Sequence, residues 1–489
     1  MSTASALAAL SLVLAAFGPG PASPRGLWVT VGTGVDYQEF TLPGPNRAFV
    51  ARMDRSDPDV TIDTMIAQGP ADDRRETVSA MAAREEEAIN SWNGRWGTRN
   101  DVIVAINGSF HDRLTGQVSG AQVHGGWYSG WAGETSGSLG FGWTMERETL
   151  LGSCIVAPAT RQVISFLKTG NTEVIHGINA PAGGERIVLY TPEFEPHSPG
   201  DPTGVEILVE MNRPAMIIPL PRMATGTIRA IHAPADEEMP IPFDHVVIAG
   251  YGLMGGALYD NSIVGEQIGI SLELQDMGSD CHSPEIEDWT KTYAGLDVGV
   301  AFLQDGEIVH DPAPHSISRH PRTAVAFSDD FLYFVVVDGR NSEYSVGMTL
   351  DELGEFVRDT LGAEWGLNLD GGGSSTMWVN GVVENRPSDG WERPVPDGLM
   401  MVAVEPMRLS KAFRVGAVVA AARALDLRLG PGFNYTALAS IPASTEGTIR
   451  HDAGSLGGVV GTGEAWWPVD FDGAVGWAPG SALTLIPAR

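Results

Sequence analysis

The stretch Leu367-Asn368-Leu369-Asp370-Gly371-Gly372-Gly373-Ser374-Ser375-Thr376 brings a carboxylate to three consecutive glycines and three hydroxyls. Three glycines in a row weaken a strand and leave no side chain to pack, so they suit a place where something approaches the backbone closely. Consecutive amides backed by the Ser374, Ser375 and Thr376 hydroxyls could cradle an anion such as phosphate. Asp370 beside them would be a catalytic carboxylate or a cation ligand. The plainer alternative is a tight glycine turn that holds nothing. Guanidinium forks match phosphate geometry, and Arg322, Arg340 and Arg393 fall in the same region of the chain. Any one of them taken alone is as readily half of a surface ion pair.

These residues stand at the ends of apolar runs. Residues 331–337 (FLYFVVV) form a continuous apolar strand that runs out into Asp338-Gly339-Arg340. Pro321 fixes the backbone before Arg322 opens another strand, and residues 101–106 end in Asn107-Gly108-Ser109-Phe110-His111. Polar residues where a buried strand stops are held rigidly yet left accessible, which makes Asn107 and Asp338 candidates alongside Asp370. Thr349-Leu350-Asp351-Glu352 is a capping box, and Gly362 is placed to stop the helix it starts. That helix joins the Asp338 strand to the Asp370 strand. The order predicts parallel neighbours whose acidic tips emerge at one edge. Asp305-Gly306 and Asn380-Gly381 are hairpin turns.

The rest of the chain reads as support. A helix is expected over about 72–88, with 84–87 (REEE) as a solvated face. His124 and His232 are isolated and receive no role. Residues 155–275 alternate short strands with turns, and 276–288 reads as a surface loop. The 489 residues contain 60 glycines and 32 prolines with only 19% charged residues, which favours a loop-rich β protein over a helical bundle. A formal charge of −30 argues against nucleic acid or an anionic membrane surface as partner. An anionic substrate would therefore need a local basic pocket. No run of 18 apolar residues occurs beyond the N-terminus, so no membrane span is expected. Residues 4–17 are apolar and precede a Gly/Pro/Ser break, which reads as a secretory segment over 1–26 and a secreted or envelope-associated protein, although a basic n-region is missing. Cys154 and Cys281 are compatible with one disulfide in an oxidising compartment and too far apart for a zinc site.

With these residues in view, the chain resembles the phosphodiester glycosidase family. The matching stretches are Asn107-Gly108-Ser109-Phe110, Pro321-Arg322-Thr323-Ala324-Val325, Asp338-Gly339-Arg340, residues 345–353, residues 368–377, and Asn385-Arg386-Pro387-Ser388-Asp389 with Glu392-Arg393. The match is densest over roughly 300–405. Gly295-Leu296-Asp297-Val298-Gly299 departs from the Gly-Gly-Pro-like stretch the family would show there. Residues 424–432, 466–469 and 476–483 resemble a bacterial SH3-like domain whose tryptophans are more readily core than binding platform.

The resemblance implies a bacterial α+β protein: a mixed, β-rich catalytic domain with few helices over 27–408, core motifs at 100–142 and 300–405, a β-rich insert at about 155–290, and a small all-β SH3-like barrel at 415–489. It also implies hydrolysis of a sugar-1-phosphodiester, such as an N-acetylglucosamine-1-phosphodiester, at the anomeric C–O bond. In that reading Asp370 is nucleophile, base or electrostatic stabiliser, and Asp338 is a further catalytic candidate. Asn107 positions a sugar hydroxyl. Arg322, Arg340 and the Gly371-Gly372-Gly373-Ser374-Ser375-Thr376 segment hold the phosphate, and Arg393 holds Asp370 or the phosphate. The expected partner is a phosphorylated glycan or cell-wall polymer. No cofactor is called for. A divalent cation belongs to the competing reading, a phosphodiesterase that uses Asp338 and Asp370 as ligands and cuts P–O. A third reading is a non-catalytic wall- or glycan-binding protein.

Overall fold

A computed structural model describes residues 27–68, 74–92, 95–116, 118, 120, 122–130, 140–152, 154–193, 195–213, 221–278, 289–450, 456–461 and 463–487. The expected secretory segment and Cys281 lie outside them, as do residues 72 and 73 of the expected helix. Cys154 is buried and disulfide-bonded. Strands make up 46% and helices 11%, so the fold is mostly β.

Two antiparallel sheets face each other across the main core. The first runs in the order Val29–Gly32, Val35–Leu42, Asn46–Asp54, Phe331–Val337, Arg322–Phe327, Trp365–Asn368, Ala301–Gln304, Glu307–Ile308. The second runs Val382–Val383, Met377–Val379, Arg95–Asn107, Asp397–Glu405, Val60–Ile66, with Ile89–Trp92 also paired to Arg95–Asn107. Phe49, Met53, Val325, Phe334 and Leu367 of the first sheet and Ile62, Val104, Met377 and Leu399 of the second form one buried cluster. Phe141 and Trp143, from a smaller five-stranded sheet, close its end.

The outer faces are covered by helices. Leu350–Phe356 starts at Thr349, whose hydroxyl accepts from the Glu352 amide while the Glu352 carboxylate accepts from the Thr349 amide. This is the capping box expected from the sequence, and Gly362 at φ +75° ends the last turn as expected. Leu350, Leu353 and Phe356 pack onto Phe302, Ala324 and Val335 of the first sheet. The Val78–Glu85 helix, over only part of the expected 72–88, covers the second sheet through Val78, Met81 and Ala82. The hairpins at Asp305-Gly306 and Asn380-Gly381 also form, with all four turn residues at positive φ.

One sequence expectation about strand order needs correction. The Asp338 and Asp370 strands are not neighbours, because Arg322–Phe327 lies between them and is antiparallel to both. The two do run in the same direction, so their C-terminal tips still share an edge with Arg322 between them. The apolar content of residues 331–337 reflects burial between two other strands, Asn46–Asp54 and Arg322–Phe327, rather than pairing with the Asp370 strand.

A separate eight-stranded sheet between Val163 and Ser271 packs against residues of the C-terminal sheet, whose strands span Val418–Leu485. Phe243 is the joint, with ring centroids 5.3 Å from Trp96, 5.6 Å from Tyr435 and 5.7 Å from Trp477. Trp466, Trp467 and Trp477 are buried and belong to the core.

Candidate active site

The site sits at the edge where the two main sheets meet. Asn107, the last residue of its strand, bridges them. Its Oδ1 accepts from the Thr323 hydroxyl at 2.8 Å and the Thr376 amide at 3.1 Å, while its Nδ2 donates to the Asp370 carbonyl at 2.6 Å. Asn107 is wholly buried. The expectation that it touches a sugar hydroxyl is replaced by a positioning role, because both ends of its amide are already engaged.

Asp370 then faces a cleft of about 330 Å³ whose walls include His111, His320, Arg322, Arg340, Gly371, Gly372, Gly373 and Arg393. Its side chain is 20% exposed, and its carboxylate oxygen lies 3.8 Å from His111 Nδ1. Burial raises the Asp370 carboxyl above the usual range, while the Ser374 hydroxyl, His111, Arg393 and the Gly371 amide oppose the rise. Asp370 is the single carboxylate lining this cleft among the described residues.

Two of the three glycines are required by arginines, and Gly371 by the Pro321 carbonyl, which would lie 2.7 Å from its Cβ. Gly372 has φ +67°, and a Cβ there would lie 2.8 Å from the Arg340 guanidinium. A Cβ on Gly373 would strike Arg393 Nη2 at 2.0 Å and the Asp389 carboxylate at 2.3 Å. Arg393 grips Asp389 through Nε at 2.9 Å and Nη2 at 2.6 Å, and its Nη1 donates to Ser374 Oγ at 3.2 Å. Arg340 Nη1 donates to Ser388 Oγ at 3.2 Å and leaves its exposed guanidinium over Gly372.

The amides are mostly spoken for. Gly372 donates to the Pro321 carbonyl at 3.0 Å and Gly371 to the Asp370 carboxylate, so the row of amides is not an open cradle. Ser375 and Thr376 are buried and do not line the cleft. Arg322 does line it, with Nε on the Met348 carbonyl at 2.8 Å and Nη2 on the His315 and Ser318 carbonyls at 2.7 and 2.8 Å. Among the described residues no carboxylate lies within ion-pair distance of it, and burial pulls the guanidinium down to about 10. A bound anion would supply the missing countercharge.

Asp338 does not reach the cleft. Its carboxylate accepts from Asn385 Nδ2 at 2.9 Å and from the Arg386 amide at 2.9 and 3.2 Å, and burial raises it. It pins the loop that carries Asp389 and Arg393, which is a positioning role rather than the catalytic one expected. The two-aspartate metal reading loses its ligand pair for the same reason. Among the described residues no three His, Cys, Asp or Glu side chains gather in a metal-binding group.

Sequence reasoning missed His111, Asn368 and Asp389. His111 follows the Asn-Gly turn directly, and Asp389 lies four residues before Arg393, a spacing that was itself a signal. Asn368 Oδ1 is buried without a partner at the cleft wall. Arg84-Glu85 also departs from the expected solvated face. Arg84 is ion-paired to Glu76 at 2.9 Å and Glu85 at 2.8 Å, beside a buried His124. Burial lowers the pKa of His124, but Asp63, Glu193 and Glu85 outweigh it and bring the imidazole up to about 10.

Residues 249–402 match the model of the phosphodiester glycosidase family. No curated protein matches the chain. Among solved structures, a hypothetical protein from Synechocystis is 17% identical with a TM-score of 0.46, over 76% of this chain and 62% of that one. An exported protein from Burkholderia pseudomallei is 20% identical with a TM-score of 0.47, over 75% of this chain and 76% of that one. The catalytic domain of zebrafish N-acetylglucosamine-1-phosphodiester alpha-N-acetylglucosaminidase, auto-inhibited by its pro-peptide, is 15% identical with a TM-score of 0.37, over 79% of this chain and 87% of that one. The chain thus spans less than two thirds of the Synechocystis protein. Over residues 249–402, which supply Asp370, Arg322, Arg340 and Arg393, the chain is similar to the phosphodiester glycosidases.

Proposed function

We propose that the protein hydrolyses sugar-1-phosphodiesters at the anomeric C–O bond, releasing a free sugar and a phosphomonoester. The observation that carries this reading is one carboxylate, Asp370, in a cleft whose other ionisable side chains are arginines and histidines. Ordinary glycosidases need two carboxyl groups, one of them an acid to protonate a leaving alkoxide. A phosphate leaving group is already a weak base and can depart unprotonated, so a single carboxylate with cations to hold the phosphate suits a diester.

In this mechanism Arg340 takes the phosphate from solvent and Arg322 supplies charge beneath it. Asp370 faces the anomeric carbon, where it stabilises the developing oxocarbenium and receives the proton of the attacking water. The C1–O bond breaks with its electron pair leaving on the phosphomonoester, and the water oxygen becomes the new C1 hydroxyl. Arg393 and Ser374 fix the carboxylate, and Asn107 fixes the backbone that carries it. We read the C-terminal strands as an SH3-like attachment to envelope glycans of an exported protein, supported by their short antiparallel pairing and buried tryptophans.

Turnover of a synthetic sugar-1-phosphodiester in ¹⁸O-labelled water tests the reaction. The expected products are labelled sugar and unlabelled phosphomonoester. Label in the phosphate would show P–O cleavage and overturn the proposal.

A further inference from the structure

A second hollow of about 410 Å³ adjoins the Asp370 cleft, and His111, Arg113 and Arg393 wall both. It adds Arg75 and Trp391 to that shared wall. The chain as a whole has 61 acidic against 31 basic residues, yet here three arginines meet one carboxylate. That carboxylate, Asp389, is already gripped by Arg393. The Arg113 guanidinium is exposed and, among the described residues, makes no hydrogen bond or ion pair. Arg75 lies against the same turn, hydrogen-bonded to the Arg113 carbonyl.

Trp391 is 68% exposed on the turn that Gly390 allows at φ +83°. A large ring held in water beside cations has an apolar face for a ligand to cover, and a sugar ring offers the matching flat C–H surface. Arginine forks beside it match a phosphate or another anion.

We propose that the second hollow binds the next unit of a substrate in which sugar and phosphate repeat. The scissile diester lies in the Asp370 cleft, the neighbouring phosphate over Arg113 and Arg75, and the neighbouring sugar against Trp391. This inference rests on the phosphodiester reading above.

The test compares two synthetic substrates of the same sugar: a single sugar-1-phosphodiester with a short uncharged alkyl aglycone, and a dimer of two such sugar-phosphate units. Wild-type protein is expected to favour the dimer about tenfold or more in kcat/KM, mainly through KM, as charged hydrogen bonds of ordinary strength require. The advantage should shrink as ionic strength rises, because these arginines are exposed. In the Arg113→Ala/Trp391→Ala double variant the dimer-to-monomer ratio should fall toward one. Equal turnover of the two substrates by the wild type, or an unchanged ratio in the double variant, would overturn the second site and leave the phosphodiester reading standing. If neither compound is turned over, the phosphodiester reading fails. Calorimetric affinities for the same two compounds then decide the second hollow, and a dimer bound no more tightly than the monomer overturns it.

Discussion

Asn107 holds Asp370 from behind, across 263 residues of sequence: its Nδ2 donates to the Asp370 carbonyl, and the Asp370 amide donates to the Gly108 carbonyl at 2.9 Å. The Asp370 backbone is thus set by a strand of the opposite sheet, while the Ser374 hydroxyl and the Gly371 amide hold its carboxylate. Asn107→Ala would strip partners from the Thr323 hydroxyl and the Thr376 amide, both buried, and from the part-buried Asp370 carbonyl. A stability loss of about 3 kcal/mol or more is expected in denaturant titrations, from roughly 1–3 kcal/mol per orphaned buried group. Since Asn107 does not touch substrate, kcat should fall by more than KM rises.

Asp370→Asn should lower kcat by about 10²- to 10⁴-fold, the usual contribution of a positioned proton acceptor. The variant should nonetheless fold as well as the wild type or better. Burial raises the Asp370 carboxyl in the folded state, so folding favours its protonated form. That contribution is present at low pH and is lost as pH rises through the folded value. Melting curves should therefore show the variant equal or higher at pH 7, with the difference closing under acid.

The pH profile carries a related expectation. The acid limb of kcat/KM should lie above the ordinary aspartate value of about 3.9, because the reactive carboxylate is buried. Arg393 opposes that rise, so Arg393→Gln should move the limb to higher pH. A limb that stays in place would separate Arg393 from Asp370.

Gly373→Ala should damage the site without touching the core. The added methyl meets Arg393 and Asp389 together, and the pair must part to admit it. Activity should drop by about tenfold or more as the phosphate side loosens, while the melting temperature moves little, since the pair is partly exposed. Kinetics alongside thermal unfolding would show whether the loss is local.

Asp338→Asn separates the two acidic residues that looked alike in sequence. It should weaken the anchor of the 385–393 loop and cost stability, yet retain kcat within about tenfold, because Asp338 lines no part of the cleft. A loss as large as that of Asp370→Asn would restore it to the chemistry.

Much of this arrangement was legible because local chemistry specified it. The Thr349 capping box, the Asp305-Gly306 and Asn380-Gly381 turns and the strands ending in Asn107, Asp338 and Asp370 are short-range signals that tertiary packing had no reason to override. What the residues do to one another was not legible. Asp338 and Asp370 have the same type and the same position at a strand exit, and only the intervening Arg322 strand and the Asn385-Arg386 loop show that one is a clamp and the other lines a cleft. The glycines gave the right place for the wrong reason, since what approaches them is the Pro321 carbonyl, Arg340, and Arg393 with Asp389.

The strand order has a consequence for dissecting the chain. The family-like stretch, residues 249–402, is not a folding unit by itself. Phe331–Val337 would lose its partner Asn46–Asp54, and Asp397–Glu405 would lose both Val60–Ile66 and Arg95–Asn107. An excised fragment would present several unpaired strand edges and a bare core face to water, the recipe for aggregation. The pocket therefore comes into being only when the first hundred or so residues have closed onto the last part of the catalytic body, a long-range closure that slows folding and makes it all or none.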